Sequence, residues 1–308
     1  MRKRSFLVRN SAATLVVALV AGLSVGVPAQ VAAEVTAATQ AQGQAGVQRD
    51  QTGLGQVAAM LKGADVILLG EVHDNAAHHQ TQAELIAALR PRAVVWEMIT
   101  QDQAETLTVP VLQDAARTAE TLNWATSGWP DFALYAPVFL AASEAAQFGA
   151  WLPRAEARTA LQTGIADHFG DQAARFGLDQ PLPEAEQAAR EAAQMVNHCN
   201  AMPAEMLPML VDIQRLRDAR LAARAEQALQ QTGGPVVVIT GNGHARLDWG
   251  LAVYLKRAVP QISLRALGQI EGDQDAEMGG QGARRFDVVL SARAPTRPDP
   301  CLAFRSAD

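Results

Sequence analysis

Acidic and imidazole side chains follow three separate apolar runs of this sequence, each at the point where the run ends. Glu71 and His73 follow the first run, Glu97 lies at the end of the second, and His244 lies in the glycine-rich turn after the third. Two histidines with one or two carboxylates can hold a divalent metal. The same groups can also exchange protons with a water molecule without a metal. The pattern therefore predicts an acid–imidazole cluster, with Glu71, His73 and His244 as ligands in the metal alternative.

The three runs have the composition of strands that are buried on both faces of a parallel sheet. They cover residues 66–69, 93–98 and 235–240, and branched apolar residues dominate each of them. The carboxyl ends of parallel strands meet at one edge of an open α/β sheet, and that edge is where ligands bind. If the three strands are neighbours, their terminal polar groups converge there.

The helix after the first strand has a clear start and stop. We predict it over residues 76–89, with Asp74 or Asn75 as its cap, and it ends before a proline. Strand, helix and strand within about 30 residues form a βαβ unit. Residues 261–267 and 286–290 predict two more strands, so the fold class is α/β with a parallel-sheet core.

A long helical stretch interrupts the strand pattern. Residues 101–231 are rich in Ala, Glu, Gln, Arg and Leu with helical periodicity, which predicts a helical insertion over the ligand edge. Trp129 and Tyr135 lie in an aromatic segment of this insertion, and they form either a pocket wall or a helix anchor. Four methionines follow, which either fill the core or line an adaptable apolar site. They are Met195, Met202, Met206 and Met209.

Polar residues interrupt the apolar face of the last helix in the insertion. Gln214 and Asp218 share a face with leucine and valine, and Arg217 lies beside them. Buried polar groups need partners, so this face is expected to meet other polar groups. His78 and His79 have no acidic partner within their own helix, and we expect both at the surface.

The N-terminal residues indicate secretion. Residues 1–33 resemble a signal peptide, residues 34–56 a flexible leader, and residues 57–308 the folded domain. No Cys follows the apolar run of the signal, so we expect no lipid anchor and a periplasmic protein. A net charge of −6 argues against nucleic acid as a partner. Cys199 and Cys301 form either one disulfide or two free thiols.

Four short motifs, in this order, resemble those of the ChaN family of haem-binding uptake proteins. More distantly, they resemble erythromycin esterases and Tiki proteases. The motifs are Leu69-Gly70-Glu71-Val72-His73-Asp74-Asn75, Gly128-Trp129-Pro130 with Tyr135, Gln214-Arg215-Leu216-Arg217-Asp218-Ala219 and Gly241-Asn242-Gly243-His244. The resemblance implies an α/β core with a helical subdomain and haem held between two subunits of a homodimer. It also implies a tyrosine ligand to the iron and an outer-membrane haem receptor as partner.

The resemblance leads to two functional hypotheses. The first is a periplasmic protein that binds haem or another iron compound for uptake, with Tyr135 as the iron ligand, Tyr254 as the lesser candidate, and Trp129 and Met206 beside the haem. The second is a hydrolase, metal-dependent or acid–base, which uses a cluster of polar residues. That cluster consists of Glu71, His73 and His244 with Glu97 in support, and Arg217 and Asp218 orient it. Haem binding should depend on Tyr135, whereas hydrolysis should survive its replacement by phenylalanine.

Overall fold

Six parallel strands form one sheet in this computed structural model, which describes residues 51–272, 285–299 and 301–302. The strands are β1 (Val66–Glu71), β2 (Ala93–Trp96), β3 (Ala146–Gly149), β4 (Val236–Gly241), β5 (Leu264–Glu271) and β6 (Val288–Ala292). Their order across the sheet is β3-β2-β4-β1-β5-β6, and every neighbouring pair is parallel. The predicted α/β class with a parallel-sheet core is confirmed.

Helices connect the strands. They are α1 (Gln51–Leu61), α2 (Ala76–Leu89), α3 (Gln101–Glu105), α4 (Val109–Leu112), α5 (Ala115–Thr121), α6 (Phe132–Ala141), α7 (Arg154–Thr163), α8 (Ile165–Phe169), α9 (Ala173–Phe176), α10 (Glu184–Asn197), α11 (Leu207–Thr232), α12 (Asn242–Ala245) and α13 (Leu251–Ala258), with 3-10 turns at Trp124–Thr126 and Ala204–Met206. Within the part of the chain that the structure describes, no helix is long and apolar enough to span a membrane.

The register of the central strands explains why the polar residues converge. Strand β4 lies between β1 and β2, and Glu71 at the end of β1 is level with Gly241 at the end of β4. Trp96 of β2 pairs with Ile239, so Glu97 comes next to the last residues of β4. The expectation that the first three predicted strands are parallel neighbours is therefore confirmed.

Alternate residues of each strand pack on opposite faces of the sheet, as the two-residue period of a strand requires. Val66 and Leu68 belong to the apolar core on the face of α11 and α13. Ile67 and Leu69 belong to the core on the other face, with α2 and α6. Each completely buried leucine contributes roughly 1.5–3 kcal/mol to folding. Both faces are buried, which is why β1 and β4 contain runs of consecutive apolar residues.

One of the local predictions matches the structure, and two differ from it. Asn75, one of the two predicted caps, caps α2 by accepting a hydrogen bond from the backbone N–H of Ala77 at 2.9 Å. The predicted helical insertion is wrong in one respect, because β3 lies inside it and pairs with β2. Residues 51–56 of the predicted leader belong to helix α1. The predicted signal peptide lies outside the described residues.

A disulfide joins Cys199, just after α10, to Cys301 near the end of the chain, 102 residues apart. Cys199 and Asn200 both have left-handed backbone conformations, with φ of 59° and 56°, which turns the chain sharply after α10. The bond therefore ties the C-terminal segment to the end of α10.

Candidate functional site

Glu71, at the carboxyl end of β1, is the buried centre of one half of the predicted cluster. The Nδ1–H of His73 donates to its Oε1 at 2.7 Å, and the hydroxyl of Tyr135 donates to the same oxygen at 2.8 Å. Burial opposes the charge of Glu71, but these hydrogen bonds and the neighbouring imidazoles keep its pKa below the usual value. The carboxylate thereby fixes the orientation of both rings.

Glu97 lies between the two imidazoles of the predicted cluster. Its Oε2 accepts hydrogen bonds from the Thr240 hydroxyl at 2.6 Å and the Gly241 backbone N–H at 2.8 Å. Its Oε1 lies 4.0 Å from His73 Nε2 and 3.6 Å from His244 Nε2. Burial raises the pKa of Glu97, but the two histidines and the hydrogen bonds outweigh burial and lower it to about 2.

His244, on the short helix α12 after β4, has its own carboxylate partner on α11. Its Nδ1–H donates to Asp218 Oδ1 at 2.7 Å, and the amide nitrogen of Gln214 lies 3.1 Å from the same ring nitrogen. The polar face predicted for this helix therefore meets the cluster. Burial lowers the pKa of His244, but Glu97 and Asp218 outweigh that effect and raise it.

His73 is the most exposed imidazole of the cluster, because 33% of its side-chain surface is accessible. Burial lowers its pKa, but the hydrogen bond to Glu71 and the charge of Glu97 raise it to about 9. A Cβ atom on Gly241 would lie 2.8 Å from its Nε2, so glycine at this position makes room for the ring. The Nδ1 side is held by Glu71, and the Nε2 side faces Glu97 across a gap.

An aromatic edge continues from His73. The Trp129 ring lies 4.9 Å from the His73 ring, and the Trp151 ring lies 5.0 Å from Trp129, measured between centroids. All three side chains are half-buried. The indole N–H of Trp129 is buried without a hydrogen-bond partner among the described residues. Trp129 was predicted here from its aromatic segment, whereas Trp151 had no neighbouring signal in the sequence.

The prediction that His78 and His79 lie at the surface is wrong, because both are completely buried. His78 Nδ1 accepts from the Val72 backbone N–H at 2.9 Å. The Nε2–H of His79 donates to the His73 carbonyl at 2.9 Å, and its Nδ1 lies 3.4 Å from Glu71 Oε2. Helix α6 packs against α2 and covers the face that carries these histidines. That face contains Ala, His and Gln residues, so its burial cannot be recognised from apolar periodicity.

The other predicted site residues have different surroundings. Tyr135 is completely buried, contacts the tilted ring of His79 with ring centroids 4.1 Å apart, and donates to Glu71. Burial and the charge of Glu71 raise the pKa of its phenol far above the usual value. Tyr254 is buried in the core on the opposite face of the sheet. Met206 is 36% exposed, and none of the four methionines is buried, so they do not fill the core.

The divalent-metal alternative receives no support. Among the residues that the structure describes, no group of three or more His, Cys, Asp and Glu side chains is arranged to hold a metal ion. Glu71 and His244 are not partners, because Glu97 lies between their two halves of the cluster. The cluster is instead a chain of alternating carboxylates and imidazoles, in which Glu71 Oε2 and His79 Nδ1 are buried without a hydrogen-bond partner in the described part of the chain.

The comparisons with known proteins agree with this architecture. The structure entitled "Cofacial heme binding to ChaN of Campylobacter jejuni" is similar over 78% of this chain and 90% of that one, with 20% identity and a TM-score of 0.56. The type III effector HopBA1 (12% identity, 75% and 88% covered, TM-score 0.41) and a succinoglycan biosynthesis protein (12% identity, 73% and 70% covered, TM-score 0.44) are more distant. No curated protein matches the chain.

A family model supplies the assignment. The model described as "Haem-binding uptake, Tiki superfamily, ChaN" matches residues 57–255, which include all of the cluster and the aromatic edge. The resemblance seen in the four motifs is thereby confirmed. The chain belongs to the ChaN family of haem-binding uptake proteins, within the Tiki superfamily.

Proposed function

We propose that this protein binds haem against the aromatic edge formed by His73, Trp129 and Trp151, and that His73 Nε2 is the iron ligand. The position of His73 carries the proposal. Its Nδ1–H is held by Glu71 at 2.7 Å, and a third of its side chain is accessible. A carboxylate on the distal nitrogen orients a ligating histidine and makes its free nitrogen more basic.

The residues at this edge fit the chemistry of haem. A porphyrin is a flat apolar ring, and the Trp129 and Trp151 indoles offer aromatic surface for it. When bound, haem would supply an iron with an open coordination position, while His73 would hold it and the indoles would exclude water from one side.

His73 is better suited than Tyr135 to hold the iron. Tyrosine binds iron as phenolate, but burial and Glu71 raise the pKa of the Tyr135 phenol. Its hydroxyl already donates to Glu71, and the side chain has no accessible surface. Tyr135 therefore acts as a positioning residue that holds Glu71, and Glu71 in turn holds His73.

The proposal extends to iron or haem uptake in an oxidising compartment such as the periplasm. The disulfide between Cys199 and Cys301 supports that compartment, because such bonds persist where thiols are not kept reduced. Cofacial haem binding is described for the Campylobacter jejuni protein. Two haems stacked face to face need a second protein surface, and a homodimer of this chain would supply it, with an outer-membrane receptor as the haem source.

A haemin titration followed by absorbance tests this function. The full mature chain should give a saturable, shifted Soret band. His73→Gln should weaken binding and move the band, because the ligand nitrogen is lost. His168→Gln is the matched control, since His168 pairs with Glu156 away from the cluster. His168→Gln should leave the haemin affinity and the position of the Soret band unchanged.

Two outcomes of the titration would contradict the proposal. The absence of a saturable band would refute haem binding. A band unaffected by His73→Gln would refute the ligand assignment and leave haem binding in place. The hydrolase hypothesis is not favoured, because the family model describes haem-binding uptake. The hydrolase hypothesis would be preferred if the protein had no haem affinity but had an esterase activity that His244→Gln abolishes.

A further inference from the structure

A cavity of about 300 Å³ adjoins the inner end of the cluster. It lies between helices α10 and α11 and the turn after β4. The residues on which the argument rests are Arg190, Gln214, Arg217, Asp218, Arg246 and Trp249. Because Gln214 and Asp218 both contact His244, the cavity and the acid–imidazole cluster share a wall. Met206 does not line it.

Two of the three arginines in the cavity are neutralised by carboxylates. Arg190 donates to Glu186, at 3.0 Å from Nε and 2.6 Å from Nη2. Arg246 forms a two-pronged pair with Asp248, at 2.8 and 2.6 Å. These guanidinium groups therefore keep their charge balanced without any ligand.

Arg217 is different. Among the described residues it has no hydrogen bond and no ion pair within 4.0 Å, and its Nε is buried without a partner. The charges of Glu97 and Asp218 act on the Arg217 guanidinium only through space, and the charge of Arg154 opposes them. Asp218 is already bonded to His244. The cavity thus contains one half-buried positive charge without a direct counter-ion, an arrangement that costs stability unless a ligand supplies the anion.

Trp249 contributes aromatic surface to the same cavity, and two of the cavity's arginines lie over its ring. The Arg246 guanidinium lies 3.8 Å from the centroid of the Trp249 ring, and the Arg190 guanidinium lies 5.5 Å from it. Val211 adds apolar surface. A ligand that fills the cavity would combine an anionic end with an apolar body. Planar anions with two oxygens match the fork of a guanidinium group, so a carboxylate fits best.

We propose that this cavity binds a carboxylate group through Arg217. The carboxylate has two chemical sources: a propionate of the haem, in which case the site deepens the proposed function on which it then rests, or a free aromatic carboxylate. Either source would give the Arg217 guanidinium a counter-ion; only a free aromatic carboxylate would also place its ring in the cavity beside Trp249.

Isothermal titration with two matched pairs of probes separates the sources. Haemin and haemin dimethyl ester differ only in the charge of the propionates, and benzoate and benzamide differ only in the carboxylate. Wild-type protein should bind the charged member of at least one pair about ten- to hundredfold more tightly. Arg217→Gln should remove that preference. Arg224→Gln, with the same charge change on the same helix but outside the cavity, should keep it.

Thermal unfolding of the ligand-free proteins distinguishes a binding residue from a structural one. Arg217→Gln should unfold at the same temperature as wild type or higher, because an unpaired buried charge is removed. A lower melting temperature would mean that Arg217 stabilises the fold, and would overturn the proposal. Equal affinity for both members of both pairs would overturn it as well.

The failure of this inference differs from the failure of the proposed function. In one outcome, haemin and its dimethyl ester bind equally well, Arg217→Gln has no effect, and benzoate does not bind. That outcome would reject the carboxylate site and retain haem binding. Benzoate binding that depends on Arg217, with no haemin binding, would retain the site with a free carboxylate and reject haem binding.

Discussion

Replacing Tyr135 by phenylalanine tests whether this residue positions the site or binds iron. The change removes one oxygen from a side chain with no accessible surface. That oxygen donates to Glu71 Oε1 at 2.8 Å and lies 3.2 Å from His73 Nδ1. Glu71 Oε1 keeps its hydrogen bond from His73 after the change. The perturbation is therefore confined to one hydrogen bond to a buried carboxylate.

The magnitude follows from the charge of the acceptor. A buried hydrogen bond to a charged group contributes about 1.5–3 kcal/mol, so the free energy of unfolding should fall by about 2 kcal/mol. For a domain of this size that corresponds to a melting temperature roughly 4–8 °C lower. The pKa of Glu71 should rise, because the Tyr135 hydroxyl is one of the groups that hold it down.

Urea unfolding at pH 7 measures the free energy of unfolding, and a haemin titration of the same protein measures ligand binding. Tyr254→Phe is the matched control, because it removes a hydroxyl that bonds Arg215 and not Glu71. If Tyr135 is a positioning residue, both variants retain a Soret band, and Tyr135→Phe weakens haemin binding only modestly.

Two results would refute this reasoning. A loss of unfolding free energy below about 0.5 kcal/mol, the lower end for an ordinary hydrogen bond, would show that the bond to Glu71 is unimportant. A Soret band that disappears in Tyr135→Phe and persists in Tyr254→Phe would show that the phenolate is the iron ligand. The protein would then have to expose Tyr135 when it binds haem.

Three further predictions concern the site and its support. Haemin affinity should rise with pH by up to roughly fiftyfold between pH 7 and pH 9, because His73, with a pKa of about 9, must lose its proton to bind iron. Haemin titrations at several pH values check this, and a flat profile would contradict it. Gly241→Ala should lower stability by about 1–3 kcal/mol and weaken haemin binding, because its Cβ would lie 2.8 Å from His73 Nε2; urea unfolding and titration measure both. Cys199→Ser with Cys301→Ser should lower the unfolding free energy by up to about 4–5 kcal/mol, as expected for a loop of 102 residues, and unchanged denaturation midpoints would refute it.

The central sheet could be predicted from sequence because burial on both faces leaves a strong local signal. Strands β1, β2 and β4 consist mainly of apolar residues, and a polar residue of the cluster lies at or shortly after the end of each: Glu71, Glu97 and His244. Strand β3 could not be predicted in this way. Its sequence, Ala-Gln-Phe-Gly, has no branched residue, and its first half is exposed or half-buried at the sheet edge. Pairing with β2, a tertiary contact, makes it a strand.

The site residues at the strand ends could be predicted from the sequence, whereas the roles of those on helix faces could not. Glu71, Glu97 and His244 follow strands, so topology alone brings them together. The burial of His79 depends on the packing of α6 over α2, which no periodicity in α2 reports. The isolated charge of Arg217 likewise depends on which carboxylates its neighbours use, and that pairing is visible only in three dimensions.

The position of β4 determines when the site can exist during folding. The βαβ segment from β1 to β2 is made early, yet its two strands do not pair with each other, because β4 occupies the place between them. Val66 pairs with Val236 and Ala93 pairs with the same residue, so β1 and β2 can be joined in the sheet only after residues 236–241 have been synthesised. Such non-local pairing slows folding. A nascent chain that ends before β4 has Glu71 and His73 but lacks the strand that joins β1 to β2, so the ligand-binding edge cannot be completed before β4 is present.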